Sequence, residues 1–244
     1  MIVLDRLVDV VLTSDEDEST FELSRGHYPG LFGRLVVADT ELARLSRSRR
    51  ASDREVPVTV VTSGGAGGLV ALARHTWAGI EVAGAVTTLR DLDDLAGNAA
   101  RVVAAAGALP DQVQVFVALP RTDGWQRAVE VVEAAGLSAQ VAWDCGSPQE
   151  VDQLSLLVEA DLAFSVTGVP PGELLALLRT VEALVDGADP YGLVDEEPAE
   201  HARVIGDWDD LTQQRVRRRL VGCVSTQASA LAQELAAYGL VSQA

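Results

Sequence analysis

Asp39 and Asp144 each stand directly after a short β-branched run, in RLVVAD and AQVAWD, so two carboxylates from different strands could converge at one end of a sheet. Such a pair could work as general acid and base, or hold a hard cation through oxygen. Cys145 follows in WDCGSP, a strand-end position that suits a thiolate nucleophile, but the sequence does not identify the base it would need. Another strand runs into SGGAGG, that is Ser63, Gly64, Gly65, Ala66, Gly67 and Gly68, whose backbone amides could approach a phosphate or carboxylate at a helix start. Its glycine order matches neither GxGxxG nor a P-loop. A second anion site could form from Thr167 and Gly168 together with Ser225 and Thr226, in the turns after the last two strands.

Each of these has a plainer structural reading. An aspartate after a strand often caps the next helix, and Asp39 precedes TELARL while Asp144 precedes Ser147-Pro148. Glycine-rich strand-to-helix turns are common without ligands. The three histidines, His27, His75 and His201, form no HxH or HExxH spacing, and Cys145 and Cys223 lack the close pairing of a zinc ribbon or redox motif. No metal or cofactor is therefore expected, and Cys223, in mid-strand, is expected to be buried.

These residues depend on a repeating rhythm of strand, turn and amphipathic helix. The strands expected are Arg34 to Asp39, Val56 to Ser63, Ile80 to Val86, Val113 to Leu119, Ala139 to Asp144, Leu162 to Thr167 and Leu220 to Ser225. Their nearly continuous apolar character fits parallel strands covered on both faces. Helix starts are expected at Thr40-Glu41, at Asp123 and at Ser147-Pro148. The clearest helix spans Gly172 to Val185, with Leu174, Leu177, Leu178, Val181, Leu184 and Val185 on one face. Met1 to Leu12 could be an eighth strand or a helix closing the barrel bottom. The pattern predicts one α/β domain over residues 1–244, a (β/α)8-type barrel with a modified first unit, the alternative being an open doubly wound parallel sheet. Two segments break the rhythm. The acidic run Ser14 to Ser19 reads as a solvated loop or helix end, and an acidic excursion at about 186–207 is long enough to cover one mouth of the barrel.

Composition narrows the chemistry further. The chain has 244 residues, 19 basic against 36 acidic, and a formal net charge of −17; every basic residue is arginine. Without lysine there is no Schiff base, no lysine-anchored pyridoxal phosphate and no P-loop lysine. The acidic balance opposes nucleic acid and anionic membrane surfaces, and the small basic groups Arg47, Arg49, Arg50 and Arg217 to Arg219 are flanked by acids. No apolar run is long enough for a membrane span, Asp5, Arg6 and Asp9 interrupt the apolar start, and the two lone cysteines fit a reduced cytoplasm.

The stretches FGRLVVADTELARL (Phe32 to Leu45), VQVFVALP (Val113 to Pro120), AQVAWDCG and the closing LAAYGLV resemble a mainly actinobacterial family of uncharacterised TIM-barrel-like proteins. The resemblance implies a barrel and, at strand ends, an acidic residue in the VALP strand, basic residues in the AQVAWDCG strand, and a lysine with paired histidines around FSVTG. This chain has Ala118, Gln140 with Trp143, Ser165, and Pro170 with Pro171 at the nearest positions. A divergent member stripped of those groups keeps its fold but loses the acid, base and electrophile that chemistry needs. The reading that follows is a catalytically reduced barrel binding a small ligand, an anion among the candidates, or a protein partner, with a homo-oligomer left open. Its alternative is an isomerase, lyase or hydrolase acting on a small anionic metabolite. The enzyme requires Asp39 and Asp144 to face one pocket lined by the Gly64 to Gly68 amides; a partner-binding protein requires an exposed patch, with Trp77, Trp125 and Trp208 as candidates.

Overall fold

Every β-branched run singled out in the sequence forms a strand, and one more precedes them. The computed structural model describes residues 2–12, 26–49 and 55–243. Eight parallel strands form a closed barrel in the order of the chain: β1 (Val8–Val11), β2 (Phe32–Ala38), β3 (Val56–Thr62), β4 (Ile80–Thr88), β5 (Gln114–Ala118), β6 (Ser138–Ala142), β7 (Phe164–Thr167) and β8 (Leu220–Ser225). The fold is the (β/α)8 barrel rather than the open sheet. Met1 to Leu12 contributes both a short 3-10 turn, Ile2–Leu4, and the strand β1, which pairs in parallel with β8. The acidic run Ser14 to Ser19 lies outside the described residues.

The helices are α1 (Leu42–Ser48), α2 (Ala66–Leu72), α3 (Leu95–Ala106), α4 (Trp125–Ala134), α5 (Pro148–Glu159), α6 (Leu174–Asp186), α7 (Pro198–Gly206), α8 (Asp210–Arg219) and α9 (Ala228–Ala237). Among the described residues, none is long and apolar enough to cross a membrane. Their contacts gather into two compact units, Arg34–Val141 and Met1–Gly33 with Ala142–Ala244.

In the Arg34–Val141 unit, β3 and β4 fall out of step between Val58 and Thr59, so that β4 carries one extra residue and Gly84 lies opposite Thr59. The glycine is a steric requirement. A Cβ there would stand 2.7 Å from Thr59 Oγ1 and 2.9 Å from a guanidinium nitrogen of Arg34. Arg34 in turn donates to Gln114 Oε1 (3.2 Å), and Gln114 donates to Ser138 Oγ (3.3 Å). The expected helix start at Asp123 falls instead on Gly124, in a left-handed conformation and without a side-chain cap.

The other unit repeats the device. Between Phe164 and Ser165 the β7–β8 register shifts by one residue, and Gly222 lies opposite buried Ser165. Close by, the Asp9 carboxylate is buried, and a Cβ on Gly33 would come within 2.6 Å of it. Helix α5 begins with a full capping box, Ser147 and Glu150, with Pro148 in its first turn. Helix α6 is buried over more than the expected stripe, since Leu175, Ala176 and Thr180 are covered as well. The reason is the acidic excursion, which folds into a 3-10 turn (Leu193–Asp195) and α7, both packed on α6, with α8 beside them. Val194 of that turn reaches the Trp143–Gly146 corner after β6, leaving no room for a side chain at Gly146.

Candidate functional site

The Asp39 carboxylate does not cap a helix. Its Oδ2 accepts hydrogen bonds from the Ser63 backbone N–H (2.7 Å) and the Ser63 hydroxyl (2.8 Å), tying the end of β2 to the end of β3. Its Oδ1 is buried and has no hydrogen-bond partner among the described residues. Beside it lies a cleft of about 270 Å³, lined by Asp39, Thr40, Leu42, Ser63, Gly68, Ala71, Leu72, His75 and Trp77.

The SGGAGG turn is built for close packing. A Cβ on Gly64 would stand 2.9 Å from the Gly68 nitrogen, and one on Gly68 would stand 2.9 Å from Thr62 Cβ. Gly65 takes a positive φ of 59° before α2, and its carbonyl receives the Gly68 and Leu69 N–H groups. An anion arriving at Ser63 would meet a carboxylate already holding both of its donors.

His75 and Trp77 close the other end of the cleft, their rings 5.9 Å apart and tilted by 32°. His75, three residues past the end of α2, has its Nδ1 2.9 Å from the Ala71 carbonyl oxygen, so Asp39, Ser63 and His75 share a cleft without the carboxylate–imidazole–hydroxyl order of a hydrolytic triad. A larger cavity, about 580 Å³, lies at the N-terminal ends of β5 and β6, the face where barrel residues ordinarily serve stability. Its Gln114 and Ser138 side chains bond to each other.

The remaining sequence candidates lie in the other unit. Asp144 and Cys145 are exposed in the turn after β6, and their backbone N–H groups, with that of Ser147, donate to the buried Glu150 carboxylate. Gly168 has a φ of 86° and gives its N–H to the Val224 carbonyl, while the Thr167 carbonyl accepts the Trp143 N–H. Buried Ser225 accepts from the Gln227 N–H (2.9 Å), and Thr226 beside it is exposed. The polar groups of the second expected anion site are thus joined mainly to the turns that carry them.

Sequence reasoning passed over Glu173, which lies just before α6. Burial holds its carboxyl above the usual carboxylate range; the Trp143 indole opposes the shift, and the charges of Glu150, Glu234 and Asp144 add to it. Trp143 is fully buried, and both its Nε1 and Glu173 Oε2 lack a hydrogen bond of good geometry. Glu234 accepts the Gly172 N–H (2.7 Å). Cys223 is fully buried, its thiol pushed up to about 12 by burial and by the nearby Asp9 charge. His201 is buried in α7, and His27 is exposed with its ring edge-on to Tyr28.

The basic run is tied to groups of its own chain: Arg217 donates to the carbonyls of Leu220, Asp5 and Arg6, and Arg218 and Arg219 pair with Asp161. Of the tryptophans considered for a partner surface, Trp208 is buried and Trp77 and Trp125 are half-buried. Among the described residues no group of three or more His, Cys, Asp or Glu side chains is arranged to hold a metal ion. The chain matches no protein-family model and no curated protein.

Proposed function

We propose that this chain is a catalytically reduced barrel that binds a small ligand, held in the cleft between α1 and α2 beside Asp39 and Ser63. One observation carries the reading: Asp39 lines the cleft with its two oxygens divided, Oδ2 fastening Ser63 and Oδ1 buried without a hydrogen-bond partner. A buried acceptor without a partner is unfavourable unless something in the bound state satisfies it. The same arrangement disfavours catalysis by Ser63, whose hydroxyl proton points at a carboxylate, a far weaker base than imidazole. The framework resemblance to a barrel family, with its charged strand-end groups replaced by Ala118, Gln140 and Ser165, accords with this reading.

The test is a nuclear magnetic resonance screen of small amines, acids and neutral polar compounds against the full chain. The expected result is a set of shifts confined to Thr40, Ala71, His75 and the Trp77 indole, abolished by Ala71→Phe, which fills the cleft. Shifts confined to other parts of the barrel would refute the assignment.

Glu173 favours a second reading, an isomerase, lyase or hydrolase. A half-buried carboxyl with a raised pKa is what a general acid requires, and it lies among the turns that follow β6 and β7. That reading predicts turnover abolished by Glu173→Gln and indifferent to Ala71→Phe.

A further inference from the structure

We propose that residues 190–196 form a strap across the corner after β6, closed while His201 is neutral and released when that ring takes up a proton. The device requires neither the Asp39 cleft nor a ligand, so it stands or falls apart from them.

The strap is fastened at two points. Tyr191 Oη donates to the Asp152 carboxylate of α5, and the Val194 side chain lies against Gly146. A Cβ on Gly146 would stand 3.1 Å from both Val194 Cβ and Trp143 Cζ2, so the valine and the edge of the indole meet on the same side of that glycine. Trp143 is fully buried, and its ring nitrogen neighbours the Glu173 carboxyl. Lifting Val194 away therefore uncovers the corner that holds both.

His201 backs the strap from the first turn of α7. It is 1% exposed, and neither Nδ1 nor Nε2 has a hydrogen-bond partner among the described residues. A neutral ring buries one N–H and one lone pair there; a protonated ring would bury a second N–H and a full charge. The acceptors that face it belong to the strap itself: the Leu193 carbonyl, and Glu196, whose Oε2 lies 3.6 Å from Nδ1. Turning either one onto the ring shifts the backbone that carries Val194.

The charges around the ring do not compensate for its burial. Glu196 is 40% exposed, where water weakens its attraction. Glu200, on the same helix, is paired with Arg203; Arg179 of α6, paired with Glu182, repels a second positive charge. Arg215 of α8 is paired with Asp186. Burial prevails, and the closed strap holds the ring's pKa below its ordinary 6.5. An opened strap gives the ring to water, so acid favours opening.

Hydrogen–deuterium exchange of the full chain at pH 7.5 and 5.5, corrected for the intrinsic pH dependence of exchange, tests this. Peptides covering residues 190–196 should exchange up to about tenfold faster at pH 5.5, the limit for one proton bound with a pKa of 6.5. Peptides from α3 and β5 should not change. Acrylamide quenching of indole fluorescence should rise over the same range as Trp143 is uncovered, and His201→Leu should abolish both responses. Glu196→Gln keeps the histidine and removes a carboxylate that favours its protonation in the closed form, so the acid response should be at least as large as in the parent; it decides the matter if His201→Leu does not fold. Responses that persist in His201→Leu, or that shrink in Glu196→Gln, would overturn the proposal. So would slower exchange at pH 5.5, which would show the proton closing the strap, or faster exchange without added quenching, which would show α7 loosening while the corner stays covered.

Discussion

Ser63 gives both its backbone N–H and its hydroxyl to a single oxygen of Asp39, at 2.7 and 2.8 Å. The ends of β2 and β3 are thereby fastened by a carboxylate that would otherwise be expected to cap its own helix. Hydrogen bonds to a charged group are worth more than neutral ones, less where water competes as it does at this half-exposed corner. Asp39→Ala should lower unfolding stability by about 1–2 kcal/mol, and Ser63→Ala by about 0.5–1 kcal/mol because the backbone bond survives. Asp39→Asn should fall between the parent and Asp39→Ala. Urea denaturation at constant m-value measures all three; equal stability of Asp39→Ala and the parent would show the contact to be incidental.

The two cysteines should separate cleanly by reactivity. Cys145 is exposed after β6, whereas Cys223 is fully buried in β8 with its thiol pushed up to about 12 by burial and the Asp9 charge. The thiolate is the reacting species. At pH 8 a thiol reagent should label one cysteine of the native chain promptly and the second only with global unfolding. Cys145→Ser should leave the native chain inert to the reagent, and prompt labelling of that variant would contradict the buried position of Cys223.

Gly84 should prove irreplaceable for a reason local to Thr59. A Cβ at residue 84 would overlap Thr59 Oγ1 at 2.7 Å and crowd the Arg34 guanidinium at 2.9 Å, within a buried part of the sheet. Overpacking of this kind costs about 1–3 kcal/mol. Thr59 Oγ1 is buried without a partner, so Thr59→Ala is mild by itself. Combined with Gly84→Ala it should recover part of the loss, a favourable coupling readable in a double-mutant cycle. Strict additivity of the two changes would place the strain elsewhere.

These contacts show what could be read in the chain alone. The strands from β2 onward were legible because parallel strands covered on both faces are continuous apolar runs. The first was obscured by Asp9, a buried carboxylate lodged where Gly33 and Gly222 supply space from distant parts of the sequence. The excursion looked like a loop since its composition is rich in proline, glycine and acid. Yet Pro198 at the start of α7 and the Asp209 side chain capping α8 are ordinary helix-start signals. At the site, Asp39 and Ser63 were each visible as strand-end polar residues, but their bond joins adjacent strand-helix units and no local motif records it. Trp77 and His75 lie past the end of α2 and join them only in space; the one signal in the sequence was the helical spacing of Gly68, Ala71 and Leu72.

His201 should impose a pH dependence on the stability of α7. Burial pushes its pKa down, Glu196 at 3.6 Å and Glu200 push it up, and Arg179 adds to the downward shift. The folded state therefore keeps the ring neutral below the ordinary value of 6.5, where the unfolded chain already takes up a proton. Its contribution is complete above about pH 6.5 and is lost as pH falls below that value. His201→Leu should match or exceed the parent at pH 7.5 and lose less stability on going to pH 5.5. An unchanged pH slope in the variant would remove His201 as its source.

Glu173 should act in the opposite direction. Its pKa is raised chiefly by burial and further by Glu150, Glu234 and Asp144, with the Trp143 indole partly offsetting them. A carboxyl whose folded pKa lies above its unfolded value of 4.5 favours the native state fully below that value, and the benefit disappears as pH rises through the folded pKa. As pH rises above that value, ionisation at this position therefore costs the native chain stability. Glu173→Gln keeps an oxygen for the Trp143 N–H and removes the charge. It should raise the melting temperature at pH 7 and leave it unchanged near pH 4, narrowing the gap between the two conditions. If the gain were the same at both pH values, it would come from packing rather than from ionisation.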